Sequence, residues 1–428
     1  MSTAAALARK RSPRGIWLGL FVFINIVCAI VIVSTHQLMG ETAGLFLVDA
    51  GVVFPITLVV IACYAILLGV VYPLLCRIKV APSAINTDRT DRAVSISLFS
   101  LQLAFIAFFT ITGTFGAGST TRSESVWSMF WVLISVDSLF CIYYGFYRNS
   151  RLFWPNLAIA IISNLLRGWS GIFILIAFME SARMIRAGKF SFGKALLMGL
   201  GGMLLYPALY AVKLQVRLMS STGAEIDFLA MLEQVFSTLR PSDYGDLLVM
   251  AILQIFERLH HVSNLIVVYQ NANVFSHYLE AGQMMPFWME GIHGLAIYRI
   301  TGITPLADFG HVLADVIEPM QTDVSWNANP TFAGWFFVAP FWSLLYLTYV
   351  FGLMTFAIVI IKRLRGTIFA YDMLWFACLS YLLAGWLASF VLLVHSFIVF
   401  YLFHLFVNRF SSRRSLSPRS GQAPSGYS

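Results

Sequence analysis

Hydrophobic residues along this chain fall in long unbroken runs and do not alternate with polar ones. The runs lie at 15–34, 52–76, 94–114, 126–146, 152–167, 169–184, 195–212, 333–361, 368–386 and 389–407. Crossing a bilayer takes about 17–25 helical residues, so the pattern predicts an all-α polytopic membrane protein with about ten transmembrane helices. The runs at 152–167 and 169–184 are short and meet at LLRGWSG, which predicts a hairpin from Leu152 to Arg186. Three regions follow, with a tail after them. Residues 1–212 carry seven spans, 213–330 form one long outer loop, 331–410 carry three more spans, and the Ser-, Arg-, Pro- and Gly-rich 411–428 is expected to be a disordered cytoplasmic tail.

The long loop has helical stretches of its own. Ile226, Leu229, Leu232 and Phe236 recur at helical spacing within Ala224 to Leu239. Leu247 to Phe256 is an apolar run too short to span, so it is expected to lie on the outer leaflet or dip into it.

Composition agrees with this pattern. The chain is 59% hydrophobic and 11% charged, against about 25% charged in soluble domains, which excludes water-soluble, disordered and coiled-coil classes. A net charge of +8 would suggest nucleic acid in a soluble protein. Here 21 of the 28 basic residues fall in the segments that alternating spans place on the N-terminal side. They therefore report orientation: both termini are expected to be cytoplasmic, and no nucleic-acid partner is implied. The first run is too long for the apolar part of a cleaved leader and lacks a small-residue cleavage site, so it reads as a signal anchor. The five cysteines sit inside or beside apolar runs and suggest neither a disulfide framework nor a metal site.

Seven basic residues break the orientation rule: Arg122, Arg167, Lys213, Arg217, Arg240, Arg258 and Arg299. Arg167 sits at the hairpin tip, where a short helix would leave it at or below the outer surface. An arginine at that depth is costly and faces a cavity or a partner, or else snorkels to the interface. Lys213 and Arg217 share one helix face at i and i+4. Arg258 precedes His261 by three residues on one face, with His260 pointing elsewhere, and Arg299 follows His293 in GLAIYRITG. Arginine pairs with phosphate oxygens through two parallel N–H donors and does not deprotonate, so such a group suits a pyrophosphate. Each residue taken alone equally suits a salt bridge to one of the loop's 12 acids.

Asp308, His311 and Asp315 could face a divalent ion, or form the wet side of an amphipathic helix whose other positions are Phe309, Val312, Leu313, Val316 and Ile317. No metal-binding or nucleotide-binding motif appears, and no cofactor is expected. Intramembrane acids are few (Asp49, Asp137 and Glu180), and there is no internal repeat, which disfavours a proton-coupled carrier.

Four stretches, LLRGWSG, YAVKLQVR, FERLHHVSNLIVVYQN and WNANPTFAGWFF, together resemble the O-antigen or oligosaccharide repeat-unit polymerases, the Wzy family. The resemblance covers roughly 150–360. It implies an inverting, metal-independent glycosyltransferase of the GT-C type, acting at the periplasmic face of a bacterial inner membrane. Its substrates would be undecaprenyl-pyrophosphate-linked oligosaccharides, the growing chain being moved onto a new lipid-linked repeat unit, with a chain-length-regulating co-polymerase as partner. Arg167, Arg217 and Arg258 match the family's arginines, with Lys213 beside them and Arg299 added on chemistry alone. His261 is a candidate base, with Glu257, His293 and Asp315 as rivals. A ligase that moves glycan onto lipid A-core shares this architecture; a flippase for lipid-linked sugars is a different class, which the long outer segment, the missing repeats and the few intramembrane charges disfavour.

Overall fold

The structure is a computed structural model. It describes residues 12–414 except 48, 84–86, 115–124, 320–325 and most of 192–258; for 87–89 and 410–414 it describes the backbone only. The expected span at 195–212 and the run 247–256 are described at about half of their positions, all helical, and the helix over 224–239 lies wholly outside the described residues. So do Arg122, Lys213, Arg217, Arg240, Glu257, Arg258 and the tail beyond 414.

Every named element among the described residues is helical, apart from isolated bridges. Six helices are long and apolar enough to cross a membrane: α1 (Pro13–Thr35), α2 (Ala50–Leu75), α3 (Thr90–Thr112), the pair α4 (Val126–Leu133) and α5 (Val136–Tyr147), α13 (Pro340–Arg363) and α15 (Leu387–Arg409). Two more apolar helices are shorter: α6 (Phe153–Leu166) and α14 (Ile368–Leu382). The first turns back into α7 (Gly171–Arg186). The chain is thus a helical, membrane-embedded protein.

Short connections place the starts of α1, α3, α6 and α14, and the ends of α2, α5, α7 and α13, at one end of the bundle. Basic side chains collect there. Arg14 and Arg186 both bind Asp372, at 2.8 and 2.7 Å. Arg148 pairs with Glu180 at 2.6 Å, and Tyr144 donates to the same carboxylate. Asp372 has a fully buried side chain inside α14 and was not among the acids singled out from the sequence.

At the far end two hairpins stop short. α6 has 14 residues and rises about 21 Å, and the fifteen positions of α14 about 22 Å, against a ~30 Å core. Their tips lie at 167–170 and 383–386, and beside the second the outer segment fills a recess bounded by α1 and α2. One arm of the segment is α8 (Val262–Gln270). The backbone N–H of His261, just before α8, donates to Asn25 Oδ1 at 2.8 Å, and its Nδ1 meets the Tyr64 hydroxyl at 2.7 Å. Asn25 and Tyr64 lie midway along α1 and α2, so the chain at His261 reaches mid-bundle. A second arm, 326–338, touches the other tip, where Thr331 and Phe332 N–H groups donate to Ala384 and Leu383 carbonyls at 3.0 and 3.1 Å. Gly385 allows that contact, since a Cβ there would lie 2.6 Å from the Thr331 nitrogen.

Candidate functional site

The two arms meet a loop that follows α1. A short ladder between Gln37 and Phe46 shapes the loop and sets a tight turn, Gly40–Thr42, against the arms. The Met39 N–H donates to Ser263 Oγ at 3.0 Å, and His260 Nε2 lies 3.2 Å from the Met39 carbonyl. Glu41 is the centre of this meeting. Its Oε2 accepts from Asn264 Nδ2 at 2.9 Å and from the Asn329 backbone N–H at 2.8 Å, while Asn264 Nδ2 also donates to the Asn329 carbonyl. One carboxylate oxygen so ties three distant stretches of chain.

Along the same return segment lie polar atoms with no hydrogen-bond partner. Asn327 Oδ1, both amide atoms of Asn329, Thr331 Oγ1 and Trp335 Nε1 are buried and unpartnered. An unsatisfied buried polar group costs about 1–3 kcal/mol, so five within nine residues are more than packing retains without a partner. Thr331 also holds a left-handed φ of 61°, a strain that side chains avoid unless the surroundings impose it. Beside this run, Glu290 is buried and accepts from the Phe309 N–H at 3.3 Å. Burial, helped by the neighbouring Asp308, pushes its carboxyl well above the usual range. Burial also acts to raise Asp308, but the hydrogen bond and charge of His311 outweigh it and bring Asp308 below its usual value. Asp308 caps α11 (Phe309–Ile317) through the His311 N–H and also accepts from Asn327. Phe309, Val312, Leu313 and Ile317 are buried on that helix.

No protein family matches the chain. Neither the curated proteins nor the solved structures contain a significant match to it.

Of the residues selected from sequence, Arg167, Arg299 and His261 are described, each on a different element. Arg167 is 2% exposed at the end of α6, where its Nη2 binds Asp137 at 2.7 Å and its Nε donates to the Ser163 carbonyl. Phe105, Phe109 and Trp169 surround the guanidinium at 5.0–5.7 Å. Asp137 is available at this depth because the fourth span breaks at Ile134, where Ser135 caps α5. Asn164 supplies a further donor to the same carboxylate at 3.1 Å. Arg167 is thus a paired, enclosed cation and not a snorkelling one. Arg299 is exposed in the last turn of α10 (Ile292–Thr301), whose Leu295, Ile297 and Ile300 are exposed too. His261 is bound to Tyr64 and Asn25. Lys213, Arg217 and Arg258 lie outside the described residues.

His261 yields a pH signature. Burial, reinforced by His260, lowers its pKa from 6.5 to about 3, so the folded protein holds it neutral. A depressed folded value gives stability that is present above 6.5 and lost as pH falls toward 3. Between pH 6.5 and 5 the loss is about 2 kcal/mol. Thermal unfolding in detergent is expected to show a steeper fall between pH 7 and 5 for the natural chain than for His261→Gln. Equal slopes would show that His261 takes up no proton on unfolding.

Proposed function

We propose that this chain is a membrane glycosyltransferase of the GT-C type that polymerises lipid-linked oligosaccharide repeat units. It works at the periplasmic face of a bacterial inner membrane, with about ten spans and both termini cytoplasmic. The observation that carries the reading is the set of five orphaned donors and acceptors on 327–335, a segment tied to the Glu41 carboxylate at Asn329 and to the short hairpin's tip at 383–384. Sugar hydroxyls are both donors and acceptors, and a lipid-tethered sugar reaches such a recess from within the membrane. The motif resemblance and the basic end support the same orientation.

In this reading an acceptor hydroxyl attacks the anomeric carbon of the donor glycan, and the bond from that carbon to the undecaprenyl pyrophosphate oxygen breaks. Glu41 receives the hydroxyl proton. His261, sealed against Tyr64 and Asn25, holds the arm in place instead. Arg217 and Arg258, with Lys213, are proposed to neutralise the departing pyrophosphate, an effect worth about 10²–10³ in rate per donor. Arg167, already paired with Asp137, is proposed to fix the tip.

Surface glycan from a strain lacking the gene, run on a gel, tests the proposal. The expected ladder collapses to core carrying one repeat unit, and Arg258→Ala fails to restore it although the protein still inserts. Loss of even the single-repeat band would point to a ligase or flippase. An unchanged ladder would reject a role in surface glycan altogether, and near-normal chains from Arg258→Ala would remove that residue from the site.

A further inference from the structure

A cavity of about 360 Å³ opens at the basic end, between the segment after α2 and the turn joining α13 to α14. Arg77, Lys79, Lys362 and Arg365 line it, with Tyr371 and, among the described residues, no carboxylate. Asp372, next in sequence to Tyr371, already commits both oxygens to Arg14 and Arg186. Four cations therefore face one space without an acid among its walls. Like charges so gathered repel each other, and an anion relieves that repulsion.

Two details go beyond the ordinary excess of basic residues on one membrane side. The Lys362 ammonium donates to the Cys76 and Ile78 carbonyls, which fixes the wall and leaves one of its three N–H donors over. Arg365 adopts a left-handed φ of 53° where the helix ends, a position at which glycine or asparagine is unstrained. The next residue is a glycine, Gly366, with a Cβ position 2.6 Å from the Ile361 side chain. The turn therefore keeps an arginine at a strained place, which is consistent with a use for its side chain.

The mouth of the cavity continues into apolar surface. Ile66, Val70 and Leu74 of α2 are 53–56% exposed and recur every four residues toward Arg77, and Ile368 is exposed on the other side. We infer that this pocket binds the phosphate headgroup of an anionic phospholipid, with the acyl chains lying along the Ile66–Val70–Leu74 face. It lies at the opposite end from the recess, so it holds or fails independently of the proposed activity.

The test uses the full chain in neutral detergent, with bound phosphatidylglycerol or phosphatidylcholine counted by native mass spectrometry. Arg77→Gln with Arg365→Gln is expected to weaken phosphatidylglycerol retention at least tenfold and leave phosphatidylcholine unchanged. The control removes the same charge elsewhere on that end: Lys189→Gln with Lys194→Gln, two exposed lysines, is expected to retain phosphatidylglycerol. Equal loss in both variants would overturn the pocket in favour of diffuse surface charge, and no loss in either would overturn it outright. Displacement of the lipid by millimolar inorganic phosphate would assign the site to free phosphate and overturn the lipid.

Discussion

Replacing Asp372 with alanine is expected to cost about 3–5 kcal/mol, the usual loss when one partner of a buried ion pair is removed. The cost comes less from lost attraction than from what remains. Asp372 is the shared acceptor of Arg14 and Arg186, whose side chains are 21% and 29% exposed. Without it, two guanidinium groups would face each other beside α14 with no carboxylate between them. Even ~1–2 kcal/mol changes cellular abundance several-fold, so the variant should be nearly absent from membranes. Adding Arg14→Leu and Arg186→Leu to Asp372→Ala removes the stranded charges and should restore much of the protein. Quantitative immunoblotting of membranes checks both steps. Equal abundance of the single and triple variants would show that unpaired charge is not the cause.

Asp372 also illustrates what a linear reading misses. The apolar runs predicted α1, α2, α3, α6, α14 and α15 within a few residues, because apolar length is a local signal; α13 starts at Pro340, seven positions into its run, because 334–338 forms a separate helix in the arm. The hairpin at LLRGWSG was legible for the same reason. Its arginine stood out by charge alone, but the partner Asp137 becomes available only through a break at Ile134 that nothing in VWSMFWVLISVDSLF announces. Asp372 sits in a run too apolar for one acid to change its reading, and its partners lie 358 and 186 residues away. The recess was harder still. Glu41 is separated from Asn264 by 223 positions and from Asn329 by 288, and asparagines in loops carry no periodicity. The sequence search favoured cations, since phosphate chemistry asks for them, and so it passed over a carboxylate and amides that only folding brings together. A hint was present in WNANP, where two asparagines crowd the return of the loop to the membrane.

Glu41→Gln is expected to separate a chemical from a structural use of that carboxylate. Its Oε2 accepts from an amide and from a backbone N–H. Glutamine has the same shape and still offers one oxygen, so the three chain segments should remain joined and membrane abundance should stay near normal. A proton acceptor is a different requirement, which an amide does not meet. Loss of a general base typically costs about 10²–10⁴ in rate, so glycan chains should shorten to one or a few repeat units. Glu41→Asp keeps the charge but withdraws it by one methylene, and should recover part of the activity if the carboxylate takes a proton. Chain length read against protein abundance for both variants decides the matter. A Glu41→Gln protein that is abundant and makes full-length chains would confine Glu41 to holding the arms. The proton would then have to leave through another group near the recess. Glu290 is poorly suited to take it, since burial already keeps its carboxyl protonated well above the usual range. Among the described acids of the recess, that leaves Asp308, which His311 holds below its ordinary pKa and so makes a weak base.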